Sequence, residues 1–364
     1  MNFFWFTIVF SFFRLGSFIS TTISNDIIEY QSHNQNYCIC VPYYQCKEDY
    51  SGLAEDVIDI VDVRSAMNGN YDTERCVGYF DVCCKVQCGL GKSFNSNDDI
   101  HQTRLEKFFG YRILGENNEA EFAEFPWMLG ILEDKTYRCG GSLIHPQVAL
   151  TAAHCVTRAG PFTVRAGEWN WEALSEPIPH QDRNTKKVII HPQYHPGSLR
   201  NDVALLILEK PFRLTRNVIP TCLPNKGARF DYQRCLTMGW GKNSHKRGTY
   251  QPVLKKLELP IVPREKCLKV LQSTILGTFF NLHESFICAG GEALKDTCKG
   301  DGGGPLMCPI LGQPGRYQQV GIVSWGITCG LQNTPGVYAN IAIFVDWIDF
   351  TLSRHGFDSS IYKY

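Results

Sequence analysis

The sequence is short of the features that mark a nucleic-acid binder, a multi-span membrane protein or a disordered chain. Among 364 residues, 36 are Lys or Arg and 36 are Asp or Glu, so net charge gives no argument for capture of nucleic acid. No run beyond residue 13 is long and apolar enough to span a bilayer. No Asn-x-Ser/Thr sequon occurs, so N-glycosylation is not expected. No internal repeat appears, which excludes a solenoid or propeller. The 44% hydrophobic content excludes wholesale disorder, and the length allows two to three domains at about 150 residues each.

Cysteine is what the chain does have. Sixteen of them point to an oxidising compartment and a disulfide framework. The start of the chain agrees: residues 3–13 read FFWFTIVFSFF, too short for a span but suited to the apolar region of a signal peptide. Residues 1–20 are therefore assigned to a signal peptide, with cleavage near 18–25, and the protein is expected outside the cell. Losing Arg14 would leave 35 − 36 = −1 in formal charge.

Cysteine spacing divides the remainder. Cys38, Cys40, Cys46, Cys76, Cys83 and Cys84 crowd into fewer than 50 residues with few aliphatic runs, describing a module held by staples rather than by a core. Adjacent Cys83 and Cys84 should reach different partners, but six cysteines permit fifteen pairings and spacing does not choose among them. A polar stretch containing GKSFNSNDDIHQTRLEK follows, and residues 85–112 read as a linker. Beyond it, short β-like runs such as VALTA, KVII, VALLIL and VGIVSW alternate with Gly, Pro and Asn clusters, as in an all-β barrel or sandwich. Phe344, Trp347, Ile348 and Leu352 share one face of a single expected helix near the end.

Three segments carry chemistry together: Leu150-Thr-Ala-Ala-His154-Cys155, Asn201-Asp202-Val-Ala-Leu-Leu206, and Asp296-Thr-Cys-Lys-Gly300-Asp301-Gly302-Gly303-Gly304-Pro305-Leu306. With RILGE, CGGSLI, GWG, SWG and TPGVY, they make residues 113–355 resemble a chymotrypsin-fold (S1 family) serine protease domain. The fold class implied is mostly β, a chymotrypsin-like double β-barrel with a C-terminal helix, preceded by the disulfide-rich module. By that resemblance His154 stands at the general-base position and Asp202 at the position that orients it, in the order His, Asp, Ser. The family's Gly-Asp-Ser-Gly-Gly is here Gly300-Asp301-Gly302-Gly303-Gly304, so glycine replaces the nucleophile. Acyl transfer needs an attacking atom, and glycine has none to offer. The resemblance therefore implies a non-catalytic homologue with His154 and Asp202 vestigial.

Other family features map residue by residue. The backbone of Gly300 matches the oxyanion hole, and Asp296 with Gly326 and Gly336 matches a pocket for Arg or Lys side chains. Arg112–Ile113 resembles the zymogen cleavage site, although Glu116 departs from the usual glycine. Glu168, Asn170 and Glu176 resemble part of a calcium loop, but three side chains fall short of the six to eight oxygens a hard cation wants, and a plain surface loop is favoured. No cofactor is implied. The family pattern pairs Cys139–Cys155, Cys235–Cys308, Cys267–Cys288 and Cys298–Cys329, and leaves Cys88 to join Cys222.

Residues 38–84, with CICVPYYQC and the closing CC pair, are similar to the clip domains of arthropod serine proteases. Their pairing implies Cys38–Cys83, Cys40–Cys76 and Cys46–Cys84. Clip module, glycine at 302 and EFPWMLGIL together resemble the clip-domain serine protease homologues that serve as prophenoloxidase-activating cofactors. That subgroup implies a cut between the third and fourth clip cysteines by an upstream trypsin-like protease. Arg64–Ser65, ending Asp56-Val-Ile-Asp-Ile-Val-Asp-Val-Arg64, is the bond expected, with Arg112–Ile113 the runner-up. Expected partners are prophenoloxidase or its activating clip protease, and a homo-oligomer after cleavage. The competing reading is a microbial recognition or adhesion protein on the same scaffold.

Overall fold

The computed structural model describes residues 37–42, 46, 76, 81–91, 118–158, 160–173, 176–241, 249–292, 301–327 and 333–364. Within these, two closed six-stranded barrels dominate. The first joins β3 (Met128–Glu133), β4 (Thr136–His145), β5 (Val148–Thr151), β6 (Phe162–Ala166), β7 (Gln181–Ile190) and β8 (Ala204–Leu208) in the order β3-β4-β5-β8-β7-β6. The second joins β9 (Arg234–Gly239), β10 (Lys255–Val262), β11 (Phe286–Gly290), β12 (Pro305–Pro309), β13 (Tyr317–Trp325) and β14 (Pro335–Asn340) in the order β9-β10-β11-β14-β13-β12. All pairings are antiparallel. Runs such as VALT and ALLIL are buried throughout because both faces of these short strands are covered.

Among the described residues, two α-helices frame the barrels. The C-terminal one, α2 (Ile341–Arg354), buries Ile341, Phe344, Val345, Ile348 and Leu352. The other, α1 (Arg264–Gln272), follows Pro263 and buries only Cys267 and Leu271. Sequence periodicity missed α1, since one buried pair four residues apart makes a stripe too thin to register.

The first module is less independent than its composition suggests. Strands β1 (Cys38–Pro42) and β2 (Asp81–Lys85) pair with Ile39 opposite Cys84 and Val41 opposite Val82. These four residues belong to one buried cluster with Leu143, Leu205 and Phe344 of the barrel and C-terminal helix. The module is stapled, but its apolar side chains also share the barrel's core. Residues 85–91, read as the start of a linker, are likewise tied down. Gly89 N–H donates to Pro220 O (2.8 Å), and Tyr317 N–H donates to Gly89 O (2.8 Å). A Cβ at Gly89, where φ is +71°, would lie 2.0 Å from Tyr317 O, so only glycine allows this close approach.

Seven disulfides are formed among the described residues: Cys38–Cys83, Cys40–Cys76, Cys46–Cys84, Cys88–Cys222, Cys139–Cys155, Cys235–Cys308 and Cys267–Cys288. Cys298–Cys329 lies outside the described residues. No described helix is long and apolar enough to cross a membrane.

Candidate functional site

The seam between the barrels gathers His154, Asp202, Ser324 and Gly302. His154 sits in a 3₁₀ turn, Ala153–Cys155, that ends β5, and the Cys139–Cys155 disulfide fixes this turn to β4. Asp202 lies two residues before β8, which pairs with β5, so the ladder brings the two together. Its fully buried carboxylate accepts three hydrogen bonds: from His154 N–H at 2.8 Å, from His154 Nδ1–H at 2.7 Å and from the Ser324 hydroxyl at 2.5 Å. Since a carboxylate only accepts, the proton rests on Nδ1 and the Nε2 lone pair is left facing the cleft. The His154 side chain is 28% exposed, enough for contact with a ligand. Burial and the Asp202 charge push the nearby Tyr194 hydroxyl up to about 12.

Opposite Nε2 stands Gly302. A Cβ built there would lie 2.9 Å from His154 Nε2, so the imidazole edge lies against the space a side chain would take. The following turn is tight. Gly304 N–H donates to Asp301 O (2.9 Å), Gly303 N–H donates to Val323 O (2.9 Å), and Gly140 N–H donates to Gly302 O (2.9 Å). Gly303 has φ +80°, and a Cβ there would lie 2.3 Å from Thr151 Oγ1 and 2.5 Å from Gly140 O. The Gly-rich run thus docks on the first barrel by backbone contact alone.

Asp301 explains the glycines of GWG. Gly241 N–H donates to Asp301 Oδ1 (2.9 Å), while Cβ atoms at Gly239 and Gly241 would come within 2.3–2.4 Å of that carboxylate. The carboxylate also helps burial raise the Tyr137 hydroxyl well above its ordinary value.

Of the proposed pocket, only Gly326 and Gly336 lie within the described residues. Gly326 is exposed, with nothing within 4 Å of a Cβ, and Gly336 is buried in β14 opposite Ala289. Asp296 and Gly300 lie outside the described residues, as do Arg64, Ser65, Arg112 and Ile113. In the loop after β6, Glu168 is committed to Arg165 Nη1 (3.1 Å) and His180 Nδ1 (3.3 Å). Glu176 Oε1 accepts from the amides of Trp169 and Asn170. Burial and the neighbouring Glu168 push Glu176 up to about 7. Asn170 Oδ1 accepts from Glu172 N–H (3.1 Å), capping its own turn. An internal guanidinium therefore already stands against this acidic pair.

Sequence reasoning missed a second histidine. His145, at the end of β4 and 1% exposed, accepts Gln147 N–H on Nδ1 (3.1 Å), so Nε2–H donates to the Tyr37 hydroxyl (2.7 Å). Its ring packs edge-on against Tyr37 and tilted on Phe357, both at 4.9 Å. Burial lowers its pKa to about 4, against a smaller opposing effect of Asp358. No motif signals this contact, whose partners are 108 residues apart.

Two closed barrels with a His–Asp pair in their seam define the chymotrypsin-like protease architecture. Residues 114–348 match the trypsin family model, and the chain belongs to that family as a clip-domain serine protease homologue. It is similar to phenoloxidase-activating factor 2 of Galleria mellonella, at 46% identity over 277 residues, 72% of this chain and 91% of that protein. It is also similar to inactive CLIP domain-containing serine protease A8 of Anopheles gambiae, at 36% over 327 residues, 86% of this chain and 88% of that protein. Phenoloxidase-activating factor 1 of Holotrichia diomphalia is 31% identical over 345 residues, 85% of this chain and 89% of that protein.

Proposed function

We propose that the protein is a secreted, non-catalytic cofactor in a prophenoloxidase-activating protease cascade, switched by a cut in its clip domain at Arg64–Ser65. The observation that carries this reading is glycine at 302 beside an otherwise complete His154–Asp202–Ser324 arrangement. Without a nucleophile, a protease of this type retains on the order of 10³-fold acceleration over water, negligible against a working enzyme's 10⁶ or more. The names of the relatives, phenoloxidase-activating factors and inactive CLIP proteases alike, support the same cascade. Disulfides at this density support an extracellular location. Such a molecule acts by binding prophenoloxidase or its activating protease, with self-association after the cut, and the Asp296 pocket offers a place for a basic side chain.

The test starts from the purified proprotein treated with a trypsin-like clip protease. Sequencing of the new amino terminus is expected to begin at Ser65. Arg-ester and Arg-amide substrates are expected to stay uncut, while prophenoloxidase activation by its protease rises when the cut chain is added. An uncut chain with no enhancement would overturn the reading.

A further inference from the structure

The first barrel carries a strip of cations far from any role in the cleft. Strand β7 presents Lys186 and Lys187, both exposed. The chain leaving β8 runs back along β7: Glu209 N–H donates to Asn184 O (3.0 Å), Arg183 Nε–H to Pro211 O (3.0 Å), and Gln181 Nε2–H to Arg213 O (2.8 Å). This sets exposed Lys210 and Arg213 beside the strand. At the other end Lys187 Nζ lies 3.1 Å from His355 Nε2, just past α2 and next to exposed Arg354. His355 Nδ1–H donates to Thr351 O (2.9 Å), so its Nε2 accepts from the Lys187 ammonium. Six steps along β7, from 181 to 187, span roughly 20 Å.

Of the described acids beside this strip, Asp182 is neutralised by Arg165 through two parallel bonds, 2.8 and 2.9 Å. The Glu209 carboxylate accepts only from the neutral Asn184 Nδ2 at 3.3 Å, leaving one anion against five cations. Among the described residues, Lys186, Lys187, Lys210, Arg213 and Arg354 have no ion pair. A chain of zero formal charge thus gathers cations beside one barrel strand: Lys186 and Lys187 on β7 itself, Lys210 and Arg213 on the segment bonded along it, and Arg354 at the end of α2. Among the described residues the large exposed apolar side chain near this strip is Phe350, 61% exposed, with the Arg354 guanidinium 5.6 Å from its ring centroid.

We propose that this strip binds a linear glycan bearing sulfate or phosphate esters. A row of ammonium and guanidinium groups matches evenly spaced anionic esters, each contact a charge-assisted hydrogen bond. A stable protein interface needs about 800 Å² per partner and apolar or aromatic anchors at its centre, whereas a row about 20 Å long has its one large exposed apolar side chain among the described residues, Phe350, at its end rather than its centre. A flexible polyanion lying along one row needs only the charges. This inference is independent of the cascade reading.

The experiment uses the full chain, with dextran sulfate and dextran phosphate as probes and neutral dextran and polyglutamate as controls, by calorimetry at about 0.15 M salt. Binding of either charged dextran, weakening as salt rises, is expected, and the stronger of the two identifies the ester recognised. Lys186→Glu/Lys187→Glu/Lys210→Glu should weaken it by about tenfold or more, with an unchanged melting temperature. Lys266→Glu/Lys269→Glu on α1 reverses exposed charge elsewhere and should leave affinity within about twofold. If the triple variant misfolds, Lys210→Gln alone should give a two- to threefold loss, on the order expected for one exposed charge. The proposal falls if neither dextran binds, if polyglutamate binds as well as they do, or if the α1 variant loses as much as the strip variants.

Discussion

Two histidines stand at opposite ends of β5, and they differ in what their surroundings ask of them. His154 faces the inter-barrel cleft, its Nδ1–H on a buried carboxylate and its Nε2 toward Gly302. His145 is sealed between the clip strands and the C-terminal segment, neutral, with the Tyr37 hydroxyl on one nitrogen and the Gln147 amide on the other. The first is arranged like a catalytic base and has a glycine, with no side chain, opposite its free nitrogen. The second matches no catalytic pattern, yet it joins the two modules. Persistence of the His154 arrangement is accounted for by structure alone, because Asp202 satisfies three donors in a dry seam.

The largest effect is expected at neither histidine but at the turn that brings the second barrel up to His154. Gly303→Ala forces a left-handed residue to carry a Cβ against Gly140 O and Thr151 Oγ1. Positive φ and backbone overlap together should cost roughly 4 kcal/mol, read as a shift in the urea midpoint. Asp202→Ala comes next. It leaves the donors on His154 and Ser324 without their shared acceptor, and should destabilise the fold by about 3 kcal/mol. A loss below about 1 kcal/mol would show that the dyad is not a structural element, breaking the contrast drawn above.

The same contrast marks what the sequence could disclose. Motifs local to the cleft carried His154, Asp202 and the glycine at 302, because strand-ending chemistry is written in contiguous residues. The double barrel followed from many short runs between turn signals. The clip-to-barrel contact was hidden, since Tyr37 and His145 meet only through tertiary folding and neither stands in a periodic pattern. The anchoring of Gly89 against Tyr317 was hidden for the same reason, inside a stretch whose polar composition reads as linker. Helix α1 escaped notice because Leu271 and the disulfide-bonded Cys267 are its only buried residues.

pH separates the histidines more finely. His145 is neutral in the folded protein, with a pKa lowered to about 4, whereas an unfolded or undocked histidine titrates near 6.5. Its contribution is fully present above pH 6.5 and is lost as pH falls from there toward 4, at about 1.4 kcal/mol per unit. The groups facing it are Tyr37, Asp358 and the Phe357 ring, and only Asp358 opposes the shift. At pH 5.5 the stability from denaturant titration should be about 1.4 kcal/mol below its neutral value by this route. His145→Phe should remove that slope whatever its own stability. An unchanged slope in the variant would assign the acid sensitivity to other groups.

The smallest expected effect is the most telling, because it lies at Gly302, the position proposed above to have lost the nucleophile. A Cβ at Gly302 meets His154 Nε2 at 2.9 Å and Cys139 Sγ at 3.9 Å, and both are side-chain atoms. The imidazole is partly exposed and can yield a few tenths of an ångström, so Gly302→Ala should cost less than about 1 kcal/mol, a fraction of the Gly303→Ala penalty one residue on. Gly302→Ser carries the same Cβ and adds a hydroxyl oxygen beside the Nε2 lone pair. It should be labelled by a fluorophosphonate probe, more slowly than a working protease because the imidazole must first retreat, while the parent and Gly302→Ala stay unlabelled. Failure of the serine variant to label, with its stability intact, would mean that the His154–Asp202 pair is retained as a strut alone. Labelling would mean that one side chain separates this cleft from a reactive one, and that inactivity rests on the glycine rather than on decay of the whole site.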